Sequence, residues 1–186
     1  MVINLVEQVF YRFSTPESVD EWVKIHYTQE EINRINIEFQ DSESALSEYK
    51  GNYSKVINYY VRKELENNQN TYNIAELQAF LFSRIIEDNI EVYRFVSLAE
   101  LFALWKNTIR GKIYTYPNFL STTMLKKYYS MMEIKYCRLP IIIRIRKGTP
   151  GTYIPEVNVE MPEFEILIPY RSKLKRINLT TYEIVI

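Results

Sequence analysis

Apolar residues recur at helical spacing through the first half of the chain and at strand spacing through the second. Tyr53, Val56, Ile57, Tyr60 and Val61 form a helical stripe over 52–66, and Leu77, Phe80, Leu81 and Ile85 form another over 74–86. Val2 to Phe13 reads as a short amphipathic helical piece. Ser14-Thr15-Pro16 reads as a cap with proline in the first turn of a helix reaching His26. Thr28-Gln-Glu-Glu31 fits a capping box opening a third helix, which Gly51 breaks near its end. The polar run 66–70 reads as a loop. Near Ile90 the period changes. Ile90–Val96 reads as a strand, and Ser97-Leu-Ala-Glu100 as a capping box starting a helix to about Ile109, ended by Gly111. Strands are expected at 113–122, 140–146, 152–155, 163–169, 172–178 and 181–186, with a mixed connection over 123–138. Helices first and strands after predict an α+β fold: one domain over 1–186, mainly helical over 1–88 and mainly β over 89–186.

Composition narrows the function classes. A chain of 186 residues suits one domain with a full core, and 47% apolar with 25% charged residues is ordinary for a globular protein. Twenty-three basic and 23 acidic residues cancel, which argues against nucleic acid as the main partner. The single cysteine, Cys137, permits no internal disulfide, and with the single histidine, His26, it makes a Cys/His metal site an unsuitable reading. His26 is expected to be structural. The four glycines have no G-x-G spacing, which disfavours a Rossmann or P-loop nucleotide site. The N-terminus lacks a signal-peptide pattern, and no run approaches the roughly 18 apolar residues of a membrane span. No membrane partner is therefore expected.

The stretch from Glu160 to Ile177 carries the candidate chemistry. Glu163 and Glu165 flank Phe164, and Ile166-Leu167-Ile168 follows. On an extended strand the two carboxylates share one face while Phe164, Ile166 and Ile168 take the other. Taken alone, an E-x-E pair also fits two surface acids at a strand entry. Arg94 has two readings as well: an ion-pair partner within an apolar strand, or a forked grip on an anionic ligand. Ser121 is either an ordinary strand hydroxyl or a support for a neighbouring carboxylate.

Four pieces in one order bear on these alternatives. They are Ala45-Leu-Ser-Glu-Tyr-Lys-Gly51 with Tyr53-Ser-Lys-Val-Ile-Asn58; Val92-Tyr93-Arg94; Phe119-Leu-Ser121-Thr122-Thr123; and Lys147-Gly148-Thr-Pro-Gly151-Thr-Tyr153-Ile154 followed by Glu163-Phe164-Glu165-Ile-Leu-Ile-Pro169 and Ser172-Lys-Leu-Lys. Together they resemble the mono-ADP-ribosyltransferase exotoxins of the clostridial binary-toxin type, the class with arginine, serine and E-x-E motifs. The first piece is similar to that family's "Y-T-x…Y-x-x-I-N" helix pair, the third to its aromatic-apolar-S-T-S motif, and the fourth to "K-G-T-x-G-A-Y", E-x-E and "S-K-F".

The resemblance implies an ADP-ribosyltransferase fold, with the helical part packed on two small antiparallel sheets around an NAD cleft. It implies transfer of ADP-ribose from NAD to a protein side chain, arginine for an E-x-E member, with release of nicotinamide and no metal. Glu165, Glu163 and Ser121 would be catalytic, with Glu165 gripping the ribose 2′-OH beside an oxocarbenium-like centre, Glu163 serving the acceptor and Ser121 holding Glu165. Arg94, Tyr93, Phe119 and Thr122 would bind NAD. The implied partners are NAD, an arginine-bearing acceptor protein of a host or competitor, with an actin-like protein among the candidates, and a delivery or immunity partner. The implied location is outside the producing cell or in a target cell's cytosol. Tyr53, Asn58 and the basic, tyrosine-bearing stretch with Lys126, Lys127, Tyr128 and Tyr129 are further places where NAD could be touched.

Three departures stand out: Phe95 where many members have glycine, Thr123 for the last serine of S-T-S, and no aromatic in the turn Pro155-Glu-Val-Asn-Val-Glu-Met-Pro162 where many relatives recognise their target. An NAD glycohydrolase and an inactive protein-binding module are the rival readings.

Overall fold

A computed structural model of the chain describes residues 9–41, 44–50, 57–58, 61, 68–126, 138–155 and 164–185. The helices are α1 (Pro16–His26), α2 (Gln29–Gln40), α3 (Ala45–Glu48), α4 (Asn68–Phe82) and α5 (Leu98–Asn107). The strands are β1 (Tyr11–Arg12), β2 (Ile90–Val96), β3 (Ile113–Thr115), β4 (Leu120–Thr123), β5 (Leu139–Ile145), β6 (Thr152–Ile154), β7 (Glu165–Ile168), β8 (Lys173–Arg176) and β9 (Thr181–Val185). This is the expected α+β architecture.

Local sequence sets most helix starts. Thr15 and Thr28 each accept from the third residue of their helix and receive its side chain in return, forming both halves of a capping box. Ser44 and Ser97 cap α3 and α5 through their hydroxyls. At α5 the second half of the expected box is missing, because the Glu100 side chain bonds Arg94 instead.

The strands follow the order β3-β8-β9-β5-β2-β4-β7-β6, with β1 added beside β2. The sheet has two halves. β2 and β4 share one register pair, Tyr93 with Thr123, and this pair joins the larger half to the three strands β4-β7-β6. Most pairings are antiparallel, while β1–β2 and β5–β9 are parallel. Two cores flank the sheet: the first takes residues from both halves, and the second lies against the β4-β7-β6 half alone. Val92, Leu101, Leu104, Ile143, Ile166 and Ile184 belong to one; Tyr49, Leu77, Leu81, Phe119, Ile154 and Leu167 belong to the other, under α3 and α4. β7 therefore has apolar neighbours on both faces, which explains its unbroken Ile-Leu-Ile run.

A row of alternating charge crosses five strands in register: Arg12, Glu91, Arg144, Glu183 and Lys175. Glu91 is 2% exposed and accepts from both Arg12 and Arg144. This row accounts for one correction. Of the helical piece expected over 2–13, residues 2–8 lie outside the described residues, and Tyr11–Arg12 is a strand, held by Arg12 on Glu91 and by the Tyr11 N–H on the Asn89 carbonyl at 2.8 Å.

Three boundaries also move. The expected strand 113–122 is two strands, because Pro117 carries no N–H for a ladder. The chain crosses there from β3, paired with β8, to β4, paired with β7. The helix expected over 74–86 starts at Asn68, within the presumed loop, since asparagine and glutamine lower helix propensity only slightly. It stops at Phe82, because Ile85 bridges Pro150 and Ile86 exchanges main-chain bonds with Thr149 and Gly148 at 2.9 and 2.8 Å. Ile57, Asn58 and Val61 are helical, while Tyr53 and Gly51 lie outside the described residues. Among the described residues, no helix is long and apolar enough to cross a membrane.

Candidate active site

A cleft of about 390 Å³ opens where the two halves of the sheet meet. Arg94 from β2, Ser121 from β4 and Glu165 from β7 line it, and these three strands are neighbours in the sheet. Tyr93, Phe119 and Thr122 also line it. Six of the seven expected site residues therefore meet in one place. The seventh, Glu163, lies outside the described residues, as do Lys127, Tyr128 and Tyr129.

Glu165 opens β7 opposite Thr123 on one side and Ile154 on the other. It is 3% exposed, and a carboxylate so enclosed needs a partner. That partner is Lys50, whose Nζ donates to Glu165 Oε2. Directly paired residues share a sheet face, so Glu165 lies diagonally from Ser121, whose own partner is Leu167. Phe164 has φ 44°, in the left-handed region, and Glu165 is the first residue of the strand. Phe164, Ile166 and Ile168 nevertheless enter the same core, as the pattern predicts.

Arg94 is fixed from three sides. Its Nε donates to Glu100 Oε1 at 3.0 Å, Nη1 to the Ser121 carbonyl at 2.7 Å, and Nη2 to the Tyr116 hydroxyl at 2.7 Å. Tyr116 in turn donates to Glu100 Oε1 at 2.5 Å. Burial alone would lower the Arg94 pKa, but Tyr116 and Glu100 outweigh it and the net shift is upward. The cation is permanent. A guanidinium has five N–H groups, and these bonds use three of them. Arg94 is thus an ion-pair partner of Glu100 that also lines the cleft.

The other expected residues differ in what they present. Phe119 is buried, edge-on to Tyr49 and Tyr170, each with ring centroids at 5.4 Å. Thr122 points its hydroxyl into the ladder, donating to the Ile166 carbonyl at 2.9 Å. Tyr93 sits in the row Tyr93-Thr123-Glu165 that links the halves. Tyr49 also lines the cleft; burial, with the Glu165 charge added, pushes its phenol up to about 12. His26 is not among the lining residues and contacts Asp88 at 2.7 Å. Asn58 lines the cleft and donates to the Tyr49 hydroxyl at 3.4 Å.

Sequence reasoning missed Lys50, Glu100 and Tyr116. Lys50 is 115 positions from Glu165, and no local pattern links them. Its one visible signal is that it stands where the Y-T-x signature has threonine. Glu100 reads as a capping residue, and only the fold turns it toward Arg94.

The family model described as ADP-ribosyltransferase exoenzyme matches residues 20–184. The chain belongs to this family. No curated protein sequence matches it. Solved ADP-ribosyltransferase toxins share its fold. Plx2a from Paenibacillus larvae superposes with a TM-score of 0.68 at 16% identity, covering 96% of this chain and 100% of that one. BECa, the ADP-ribosylating toxin of a C. perfringens binary enterotoxin, solved with NADH, gives 0.69 at 17% identity, covering 95% of this chain and 50% of that one. C3stau2 from S. aureus, solved with NAD, gives 0.61 at 16% identity, covering 94% and 96%. Among the described residues of this exoenzyme-family chain, no group of three or more His, Cys, Asp or Glu side chains is placed to hold a metal ion.

Proposed function

We propose that this chain transfers ADP-ribose from NAD to a protein side chain, arginine by preference, releasing nicotinamide. The observation that supports this most is the convergence of Arg94, Ser121 and Glu165 from three adjacent strands on one cleft. The residues present fit the substrate chemically. The two remaining N–H groups of Arg94 suit a phosphate oxygen. Glu165 supplies a desolvated negative charge beside which an oxocarbenium-like ribose centre is stabilised, and it accepts from the neighbouring hydroxyl.

Lys50 holds that charge in balance when the cleft is free. A cationic nicotinamide ribose takes over its role, so the ammonium moves aside as substrate enters. The Ser121 hydroxyl, on the same sheet face as Glu165, steadies the carboxylate once Lys50 has left. Glu163 orients the acceptor guanidinium and takes its proton as the bond forms. Water as acceptor gives the rival glycohydrolase activity at the same centre.

Incubating the chain with NAD labelled on the adenylate and a cell lysate tests the proposal. Labelled protein with nicotinamide release is the expected result, and mass spectrometry should find the label on arginine. Free ADP-ribose without labelled protein would make the chain a glycohydrolase, and unconsumed NAD would make it a binding module.

A further inference from the structure

The zero net charge conceals a segregation. Residues 101–119 contain Lys106, Arg110 and Lys112 and no acidic residue; residues 166–182 contain Arg171, Lys173, Lys175 and Arg176 and again no acidic residue. The fold brings these two segments together. β3 pairs with β8, and Trp105 of α5 donates its indole N–H to the Leu179 carbonyl in the β8–β9 turn at 2.9 Å. The nearest carboxylates are engaged elsewhere. Glu100 is bonded to Arg94 in the cleft, and Glu183, opposite Lys175, is buried and bonded to Arg146. Lys106, Arg110, Lys112, Lys173 and Lys175 are all exposed, and none forms a salt bridge among the described residues.

Lys173 and Lys175 alternate with the core residue Leu174 and so point away from the sheet face that α5 covers, which leaves Lys106, Arg110 and Lys112 in and just after that helix. Beside these three, Leu98, Phe102 and Ile109 recur along one flank of α5 and into the turn after it, with Phe102 61% exposed. Leu179 projects from the β8–β9 turn at 69% exposure, next to the helix through the Trp105 bond to its carbonyl, with Ile177 also exposed. Leu101 and Leu104 face the core from the adjacent side of the helix, with Trp105 partly buried against it, so Leu98, Phe102 and Ile109 are additional to what the fold buries.

We propose that this face docks the protein peripherally on an anionic membrane surface. Apolar side chains on a helix flank and a turn tip, ringed by lysine and arginine, match the two requirements of interfacial binding: insertion at the headgroup boundary and attraction to negative lipid. Two other partners fit less well. Nucleic acid gains from stacked aromatics and phosphate contacts but not from exposed Leu and Ile. Protein interfaces are depleted in lysine, and two of the three cations in and just after the helix are lysine. This differs from the expectation of no membrane partner, which rested on the lack of a signal-peptide pattern and of a spanning run. Ser97 and Glu100, in and beside the first turn of α5, line the cleft, so docking through this helix also sets how the cleft faces the membrane. The inference does not depend on the transferase reading.

Flotation of the full chain with vesicles tests it without NAD. Vesicles of phosphatidylcholine containing about one third phosphatidylserine should carry the protein at low salt and release it at high salt, while phosphatidylcholine alone should not. Trp105 fluorescence should shift to the blue on binding. Lys106→Gln with Lys112→Gln should weaken binding roughly 25-fold, about fivefold per charge. Phe102→Ser with Leu179→Ser should weaken it and abolish the fluorescence shift. All four positions lie outside the cleft, so the melting transition and NAD consumption should be unchanged. Equal binding to both vesicle types, no binding to either, or undiminished binding of both double variants overturns the proposal. So does binding of a DNA duplex as tight as that of the anionic vesicles, because the surface is then a generic polyanion site.

Discussion

Lys50→Met separates the two things Lys50 does in the structure. Its ammonium is bonded to Glu165, and the two side chains are 17% and 3% exposed. Removing one partner of a buried pair costs about 3–5 kcal/mol, because the other charge stays behind without compensation. The partial exposure of Lys50 places the expectation near the lower end, about 3 kcal/mol. For a domain of this size, each kcal/mol moves the melting temperature by about 2–4 °C, so the variant should melt roughly 6–12 °C below the parent. Glu165→Gln should cost less, since the ammonium left behind can turn toward solvent. The double variant should recover part of the loss, with a coupling of about 2 kcal/mol in a thermal double-mutant cycle. The second readout is ligand stabilisation. With Glu165 no longer held by Lys50, saturating NAD should raise the melting temperature of Lys50→Met by more than that of the parent. Two single effects that add within about 0.5 kcal/mol would show that the pair is not coupled. A smaller shift with NAD would mean that Lys50 binds the substrate rather than yielding to it.

Four further outcomes are expected. Glu165→Gln should lower both nicotinamide release and protein labelling by about 10²–10³, and retention of half the parent rate would remove Glu165 from the chemistry. Arg94→Lys should weaken NAD binding in a calorimetric titration, since an ammonium cannot reproduce the three fixed bonds and still offer a forked donor; unchanged affinity would leave Arg94 a purely structural ion-pair partner. Gly151→Ala should destabilise by about 1–3 kcal/mol in a urea titration, because φ is 148° there and an added Cβ would lie 2.5 Å from Ile168 Cδ1 and 2.9 Å from the Leu167 carbonyl. Stability should fall as pH rises from about 10 to about 12. Tyr49 binds its proton more tightly folded than unfolded, so its contribution is complete below the ordinary phenol pKa and lost above the raised one; Tyr49→Phe should flatten that limb of the melting curve.

Periodicity and capping chemistry determined the element types by themselves, because both act over a few residues. Thr15 and Thr28 start their helices through bonds to residues three positions on, and Ile90–Val96 is a strand at the boundaries its alternation indicates. The motif residues Arg94, Ser121 and Glu165 were legible too, each within a short run. Tertiary structure decided where local preference is weak or overruled. Tyr11–Arg12 is a strand because Glu91, buried in β2, demands a cationic neighbour, and α4 ends early because Ile86 is claimed by the turn at 148–149. The partners of the site residues were beyond the reach of any local rule. Lys50 meets Glu165 only because α3 packs over the smaller half of the sheet, and Glu100 leaves its cap for Arg94 only because α5 lies against β2. Charge behaves in the same way. The composition sums to zero, and only the fold engages Glu100 with Arg94, leaving Lys106, Arg110 and Lys112 outside every salt bridge among the described residues.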